Sequence, residues 1–553
     1  MVSSTQELEW GLDNMINEKQ FEKYSHIPQE KFALVSNREI HDLKLDTKPV
    51  GYFKDAFRRF CKNKGSVVAA FIIIFLLLFA LVGPFVSKYD VAFNDLNLSY
   101  YLPKSKTFSF LGWDGYSKKV VSKTDYIILK AIEMETGENV IKKVYDSYDT
   151  ESQQGPYIYH NTYYTVYLNS YTKSLMKYVQ LTGEQYAALQ KYQDDNELQI
   201  IYPIVSYAFD EGSLYKNDAN IWYQIIDIPA NPDPTKPIKP ADRLNKGMPV
   251  GFTNTDSAEA ALTGLQNAYI PYSGNDGYTS IMRVEENGEK QYDYARKVSG
   301  GNYLVRLNYN LYHDFLYGHG EPEFLFGSDK FGKDLFVCLS SGARFSLFFA
   351  ICIAAINLFI GAIYGAIEGY YGGVADMAME RFSDILGNVP FMVVVTLFKL
   401  HIADKVGTVV TLLFAFVLTG WIGMASTTRM QFYRYKNQEY VLAARTLGAS
   451  DRRIMFKHIF PNALGTLITS SVLVIPGVIF SESSLSYLGI INLSTGSTTS
   501  VGTLMATARG SLSTYPHAIL FPAIFIALLM ITFNLFGNGL RDAFNPSLRG
   551  SED

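Results

Sequence analysis

No Gly-x-x-x-x-Gly-Lys-Ser/Thr run occurs anywhere in the chain, so ATP binding through a phosphate-cradling loop is not expected here. Cysteine is nearly absent. Cys61, Cys338 and Cys352 are the only three, each at the edge of or within an apolar segment, which excludes a disulfide framework and any zinc-type spacing. The eight histidines are scattered, with no His-Glu-x-x-His pair, and no nucleophile stands at a recognisable distance from a base. An enzyme is therefore the least favoured class, and neither a resident metal nor a nucleic-acid partner is expected. Net charge is only −4, a figure that averages over two compartments if the chain crosses a membrane. The first 48 residues are polar and hold no early apolar core, so the first apolar segment is expected to stay as an anchor.

Hydrophobic residues make up 48% of the 553 positions, too many for an ordinary soluble enzyme and too few for a chain wholly in lipid. The apolar residues are concentrated. Residues 65–86 form one run long enough for a hydrocarbon core of roughly 30 Å, and five more follow near 345–367, 379–400, 406–426, 464–487 and 518–536. The fold class expected is an α-helical polytopic membrane protein with six transmembrane helices. Residues 1–64 read as an N-terminal arm ending in an interfacial helix, where Phe53, Phe57 and Phe60 alternate with Lys54, Arg58 and Arg59. A plain basic flank is the competing reading.

Between the first and second apolar runs the character changes. Residues 87–323 contain no spanning segment and are rich in Tyr, Asn, Asp and turn dipeptides. Strands are expected over 157–171 and 303–307, and helices over 182–193, capped by Thr182, and over 257–267. Pro229, Pro232, Pro234, Pro237 and Pro240 mark an extended loop. The region reads as a large α+β insert. Its tyrosines suit either a binding face or ordinary strand packing. Orientation follows from charge. Lys54, Arg58, Arg59, Lys62 and Lys64 precede the first span, a basic loop over 428–462 joins the fourth and fifth, and Arg541 and Arg549 lie in the tail over 541–553. The opposite loops carry little beyond Lys405 and Arg509. Six spans then place both termini and the basic loop in the cytoplasm and the insert outside.

The basic loop holds the most specific spacing, QEYVLAARTLGASDRRIMFKHIFPN over 438–462. Residues 440–447 are strong helix formers ended by Gly448, and a second short helix is expected to stop at Pro461. The run resembles the coupling loop of ABC importer permeases, with Leu442 where many members carry Glu and 458–461 replacing the terminal consensus. Four further runs narrow the resemblance. FGSDKFGKD over 326–334 followed by GARFSL over 342–347 is similar to the segment leading into span two of the C-type permease subunits of dipeptide and oligopeptide importers. GYYGG over 369–373, with Asp376, Arg381, Asp384 and Pro390, resembles the loop between spans two and three. ESSLSYLG over 482–489 resembles the end of span five, and FNLFGNGLRD over 533–542 the C-terminal signature, with Asn538 where Asp is usual. The resemblance covers 53–86 and 324–549 and leaves out the insert.

That resemblance implies a permease core over 324–540 translocating di- or oligopeptides. The expected partners are a homologous second permease, two ABC ATPase subunits that hold ATP and magnesium, and an extracellular lipid-anchored peptide-binding protein. The resemblance places the chain in a bacterial plasma membrane. ATPase coupling falls to Glu439, Ala443, Ala444, Gly448, Arg452, Ile459 and Pro461. The small residues permit close approach to a cleft, while Arg445, Arg452 and Arg453 pair with acidic residues or serve orientation alone. An ionisable residue in lipid is a functional suspect. Glu482 qualifies, either facing the pathway or packing against a hydroxyl such as Ser484. Lys399 is expected to snorkel outward, and Gly361 and Gly365 to allow close helix packing. The rival functions are a nickel-chelate importer permease and, in another class, a membrane-anchored sensor with an external ligand-binding domain.

Overall fold

The computed structural model describes residues 52–154, 157–173, 175–202, 223–224, 248–249, 280–284, 290–494 and 499–544. The chain divides into two units, Met1–Arg58 and Arg59–Asp553. Helix α1 (Tyr52–Lys62) runs across their boundary, and all that follows concerns the second unit. The arm before residue 52, the helix expected over 257–267 and the proline-marked loop lie outside the described residues.

Helix α2 (Lys64–Val82) is nineteen residues of nearly unbroken Ile, Leu, Phe, Ala and Val, opened by Asn63, whose side chain accepts the Ser66 N–H. Ile73, Leu76 and Ala80 are buried, whereas Phe71, Phe75 and Leu78 on the other side are exposed. One face packs on protein and the other suits lipid. Five helices are long and apolar enough to cross a membrane, and six if one bent pair counts as a single span. The others are α6 (Leu335–Tyr371), α9 (Thr408–Tyr435), α11 (Phe460–Tyr487) and α13 (His517–Phe544). Together they make a helical polytopic membrane fold.

The third apolar run is not one helix. It divides into α7 (Gly373–Gly387) and α8 (Phe391–His401), bent by 71° at Asn388–Pro390. Pro390 has no N–H to continue the ladder and disfavours helical geometry at Val389. Asn388 closes α7 by donating from its side chain to the Asp384 carbonyl at 2.7 Å.

Between α2 and α6 lie two sheets. The first has the order β1-β3-β2, from β1 (Tyr116–Ser122), β2 (Ile141–Gln154) and β3 (Tyr157–Asn169), with both neighbours antiparallel to β3. Helix α3 (Lys123–Thr136) covers one face, where Tyr126, Leu129 and Ile132 join Ile141, Val166 and Leu168 in a small core. The second sheet contains β4 (Met176–Leu181), β5 (Ile201–Tyr202), β6 (Ser280–Val284), β7 (Lys290–Val298) and β8 (Asn302–Asn308). Its order is β4-β8-β7-β6, with β5 also pairing β8. Helix α4 (Gly183–Asp195) opens with a reciprocal cap: Gln185 N–H donates to Thr182 Oγ1, and Thr182 N–H to Gln185 Oε1. Helix α5 (Tyr309–Tyr317) leads back toward α6.

The two ends of this region meet. Lys104 N–H donates to the Phe324 carbonyl at 2.9 Å, while Tyr171 Oη donates to the Leu102 carbonyl and accepts from Phe324 N–H. Below that junction the 327–334 run folds into a clamp. Gly332 holds φ at +73°, and a Cβ there would lie 1.8 Å from the Asp95 carbonyl oxygen. Asp329 Oδ1 accepts the N–H groups of Phe331 and Lys333, at 2.8 and 2.9 Å. Asp334 caps α6 by accepting Phe336 N–H at 2.9 Å, and its other oxygen takes the Ser87 hydroxyl at 2.8 Å. The segment after α2 is thereby fastened to the start of α6.

Candidate coupling site

The loop between α9 and α11 is built around a few inward side chains. Helix α10 (Glu439–Thr446) turns Val441 inward, and Val441, Ile454 and Ile459 are wholly buried against Ala366, Tyr370 and Phe432. Its other face is bare, with Tyr440, Leu442 and above all Leu447, 88% exposed. Gly448 ends the helix in the left-handed region, φ +78°, with no atom within 4 Å of where a Cβ would stand. That φ is what favours glycine there.

The candidate coupling residues therefore separate. Glu439, Ala443, Gly448, Arg452 and Pro461 are exposed, Ala444 is half-buried, and Ile459 faces inward as a packing anchor. Pro461 does not stop a helix. A π-helical stretch over Ile454–Ile459 precedes it, and Pro461 then sits in the first turn of α11, where no N–H is required.

Polar contacts tie this loop to the turn between α6 and α7. Tyr370 Oη donates to Asp451 at 2.6 Å, Arg445 lies over the Tyr370 ring at 5.9 Å, and Lys436 Nζ donates to the Gly369 carbonyl at 3.0 Å. In the last two turns of α9, Arg429 makes a fork with Asp376, Nε to Oδ1 at 2.7 Å and Nη2 to Oδ2 at 2.9 Å, and reaches Glu380 with Nη1 at 2.9 Å. Glu368, nearly buried, stands 3.5 Å from the same guanidinium. One arginine thus balances three carboxylates on α6 and α7, and the planar fork holds its geometry as an ammonium would not. In sequence, Asp376 belongs to the run after GYYGG and Arg429 only to the basic loop over 428–462, with nothing that pairs them. The available signal was Asp376 and Glu380 at i, i+4 on one short helix.

The backbone beneath these contacts is unusually close. A Cβ on Gly361, Gly365 or Gly369 would stand 2.6 Å from Met424 Cβ, 2.1 Å from the Ala425 oxygen and 2.8 Å from the Arg429 oxygen respectively. Three glycines at four-residue spacing let α6 lie against α9 with almost no side chain between them. Gly369 extends the pair read from sequence.

Glu482 is wholly buried in α11, where four hydroxyls donate to it. Ser500 and Ser486 reach Oε1 at 2.7 and 3.0 Å, and Ser346 and Ser483 reach Oε2 at 3.3 and 3.4 Å. Ser484, the partner suggested by proximity in sequence, instead donates to the Phe480 carbonyl. Ser500 also accepts the Thr503 N–H and so opens helix α12 (Val501–Ala508). The carboxylate joins α6, α11 and α12, and its four donors replace the water it gave up. Lys399 donates to the Ile490 carbonyl.

Residues 357–550 match the family described as binding-protein-dependent transport system inner membrane component. Residues 51–103 match the N-terminal TM domain of oligopeptide transport permease C. The oligopeptide transport system permease protein OppC of Bacillus subtilis is 43% identical over 224 residues, 40% of this chain and 72% of that protein. The dipeptide permeases DppC of B. subtilis and of Lactococcus lactis subsp. cremoris are each 40% identical, over 228 and 244 residues and 69% of each protein's length. A solved chain from the inward-facing MetNI methionine ABC transporter aligns with a TM-score of 0.32 at 14% identity, covering 38% of this chain and 96% of that one.

Proposed function

This chain belongs to the family of permease subunits of oligopeptide and dipeptide ABC importers, and we propose on that premise that it translocates di- or oligopeptides using ATP hydrolysed in partner subunits. The observation that carries the coupling part is the two-sided helix α10. Val441 pins it from within, while Leu442, Ala443 and Leu447 are left facing out. A helix held on one side and bare on the other suits a cleft on an ABC ATPase. Movement of that cleft would pass through Asp451–Tyr370 and Lys436–Gly369 to α6, and through Arg429 to α7. In this reading Glu439, Arg452 and the small residues Ala443, Ala444 and Gly448 meet the ATPase. Ile459 holds the loop's shape, and Glu482 fixes α12 without touching substrate.

The further partners follow from the same reading. They are a homologous permease completing the pathway, a second ATPase, and a lipid-anchored peptide-binding protein outside a bacterial plasma membrane. Counting α7 and α8 as one crossing gives six spans, and the positive charge before the first span and in the basic loop supports a reading with that loop and both termini in the cytoplasm and residues 87–323 outside. The insert then stands where a binding protein would dock.

Affinity purification of the tagged chain from native membranes in mild detergent tests the assembly. Two ABC ATPases, a second permease and a binding lipoprotein are expected, with peptide bound to the lipoprotein. Uptake of labelled tripeptides should fall at least tenfold in a variant carrying both A443W and G448W. Recovery without any ATPase after crosslinking would overturn the coupling role. A lipoprotein loaded with a nickel chelate would overturn the substrate class.

A further inference from the structure

Lys119 is out of place for a charged residue. Along β1 the side chains alternate, and Lys119 shares its side with Val121, which packs under α3; its partner across the sheet is the wholly buried Val166. Beside it lies a cleft of about 340 Å³, lined by Lys119, Val121, Leu129, Ile132, Leu168 and Lys173 together with Val120 and Asp125. Leu129, Ile132 and Leu168 form an apolar floor, each less than a tenth exposed. A hollow of this size, with an apolar floor and a polar edge of comparable extent, can take a small amphipathic ligand.

The polar groups at the edge carry a positive excess. Among the described residues neither Lys119 nor Lys173 meets a carboxylate at ion-pair distance. Asp125 is committed elsewhere: its carboxylate accepts the Ser122 hydroxyl at 2.7 Å while Ser122 caps α3. Burial first, and the neighbouring Lys173 second, hold the Lys119 ammonium below its usual range. Two ammonium groups that disfavour one another, above an apolar floor, are relieved by an anion placed between them.

We propose that this cleft between β1 and α3 binds the C-terminal residue of a peptide, its apolar side chain in the hollow and its carboxylate between Lys119 and Lys173. The site rests on the peptide reading above and gives that reading a second point of contact, on the insert. The hollow stands at the small end of the roughly 300–1,000 Å³ typical of ligand sites, which suits one side chain better than an acyl tail. It is also wired to the permease core. Lys119 Nζ lies over the ring of Tyr515, just before α13, at 5.3 Å, Tyr515 stacks on Tyr100 at 4.2 Å, and the Tyr100 hydroxyl is bonded to that of Ser511, in the same segment as Tyr515. Tyr100 itself holds φ at +58°, a strained value for a tyrosine that the stack helps to maintain. A peptide end held by Lys119 thus sits beside the segment joining α12 to α13.

The test uses the full chain in nanodiscs of zwitterionic lipid, with binding of Ala-Ala-Leu and of its C-terminal amide followed by saturation-transfer NMR. The free acid is expected to bind at least tenfold more tightly than the amide. K119Q combined with K173Q should abolish that preference, whereas K118Q, one residue along on the opposite face, should leave it intact. Equal binding of acid and amide, or an unchanged preference in K119Q/K173Q, overturns the site. So does displacement of the peptide by decanoate or by phosphatidylglycerol with no peptide preference of its own, since the anion would then come from lipid. Peptide uptake by the assembled transporter is measured in parallel. Uptake with no acid preference removes this inference alone, while absence of any peptide uptake removes the functional reading beneath it.

Discussion

Asp334 shows how one side chain serves both anchorage and titration. It caps α6 and accepts the Ser87 hydroxyl, yet burial outweighs those hydrogen bonds and pushes its carboxyl up to about 6. A carboxyl raised in the folded state favours folding while it is protonated. Its contribution is complete below the unfolded value near 4 and is lost as pH rises through about 6, amounting to roughly 3 kcal/mol at most. Thermal unfolding of the purified chain in a neutral detergent should therefore show stability falling between pH 4 and pH 7. D334N keeps a good cap without a titrating proton, so its profile should be flatter across that window. Identical slopes in the two proteins would rule Asp334 out as the group responsible. Glu482 solves the burial problem differently, with four hydroxyl donors drawn from three places in the chain. Only Ser483 and Ser486 were near enough in sequence to be guessed.

Helix α6 makes its decisive contact through what it lacks. At Gly365 an added methyl would stand 2.1 Å from the Ala425 oxygen, so G365A must push α6 and α9 apart. Overpacking of this kind costs about 1–3 kcal/mol, and a lowered midpoint in detergent melting checks it. Gly423, with nothing within 4 Å of a new Cβ, is the internal control: G423A should be neutral or slightly stabilising. If both variants melt alike, the glycine contact does not hold the helices together. The effect should reach further than stability, because Gly369 and Arg429 belong to the same contact and Arg429 orients α7. Much of this was readable from sequence, since each span is an apolar run and Gly361 and Gly365 fall one turn apart. Proline was harder to read. Pro390 breaks a run that looks continuous, whereas Pro461 sits harmlessly in a first helical turn because a π-turn precedes it. The difference depends on where neighbouring N–H groups go, which hydropathy does not encode. The insert was legible only as strands and helices. Some of its pairings join segments far apart in sequence, such as β4 with β8, and no local pattern carries that register.

At the scale of the whole chain, the segment between α2 and α6 leaves and returns at nearly one point, while Tyr89, Leu98, Tyr101 and Phe324 share a core with Tyr171, Leu181 and Tyr312. Its ends are already joined by the Lys104–Phe324 hydrogen bond, and the Gly332–Asp95 and Asp334–Ser87 contacts that fasten α6 lie on the permease side of that junction. Residues 105–323 can thus be cut out and the ends bridged by a short glycine linker without opening the clamp. Some packing is lost, because Trp113 rests on Phe326 and Phe521 at 5.9 and 5.7 Å, and Lys88 loses the carbonyls of His319 and Glu321. Tyr309 also leaves Asp95, to whose carboxylate it donates at 2.6 Å, so that Oδ2 loses its donor while Oδ1 keeps those of Asn97, and a buried carboxylate short of donors is costly. Pairing the excision with D95N removes that charge. The shortened chain should still enter the membrane, melt cooperatively at a lower midpoint and recover its ATPases in pull-downs, because α10 and its anchors are untouched. If the binding protein docks on the excised region and the Lys119–Lys173 cleft holds peptide, peptide uptake should nevertheless be lost. Uptake at the parental rate would show that the binding protein docks on the permease core alone. Failure to recover the ATPases would show that the insert supports the core's fold rather than its traffic.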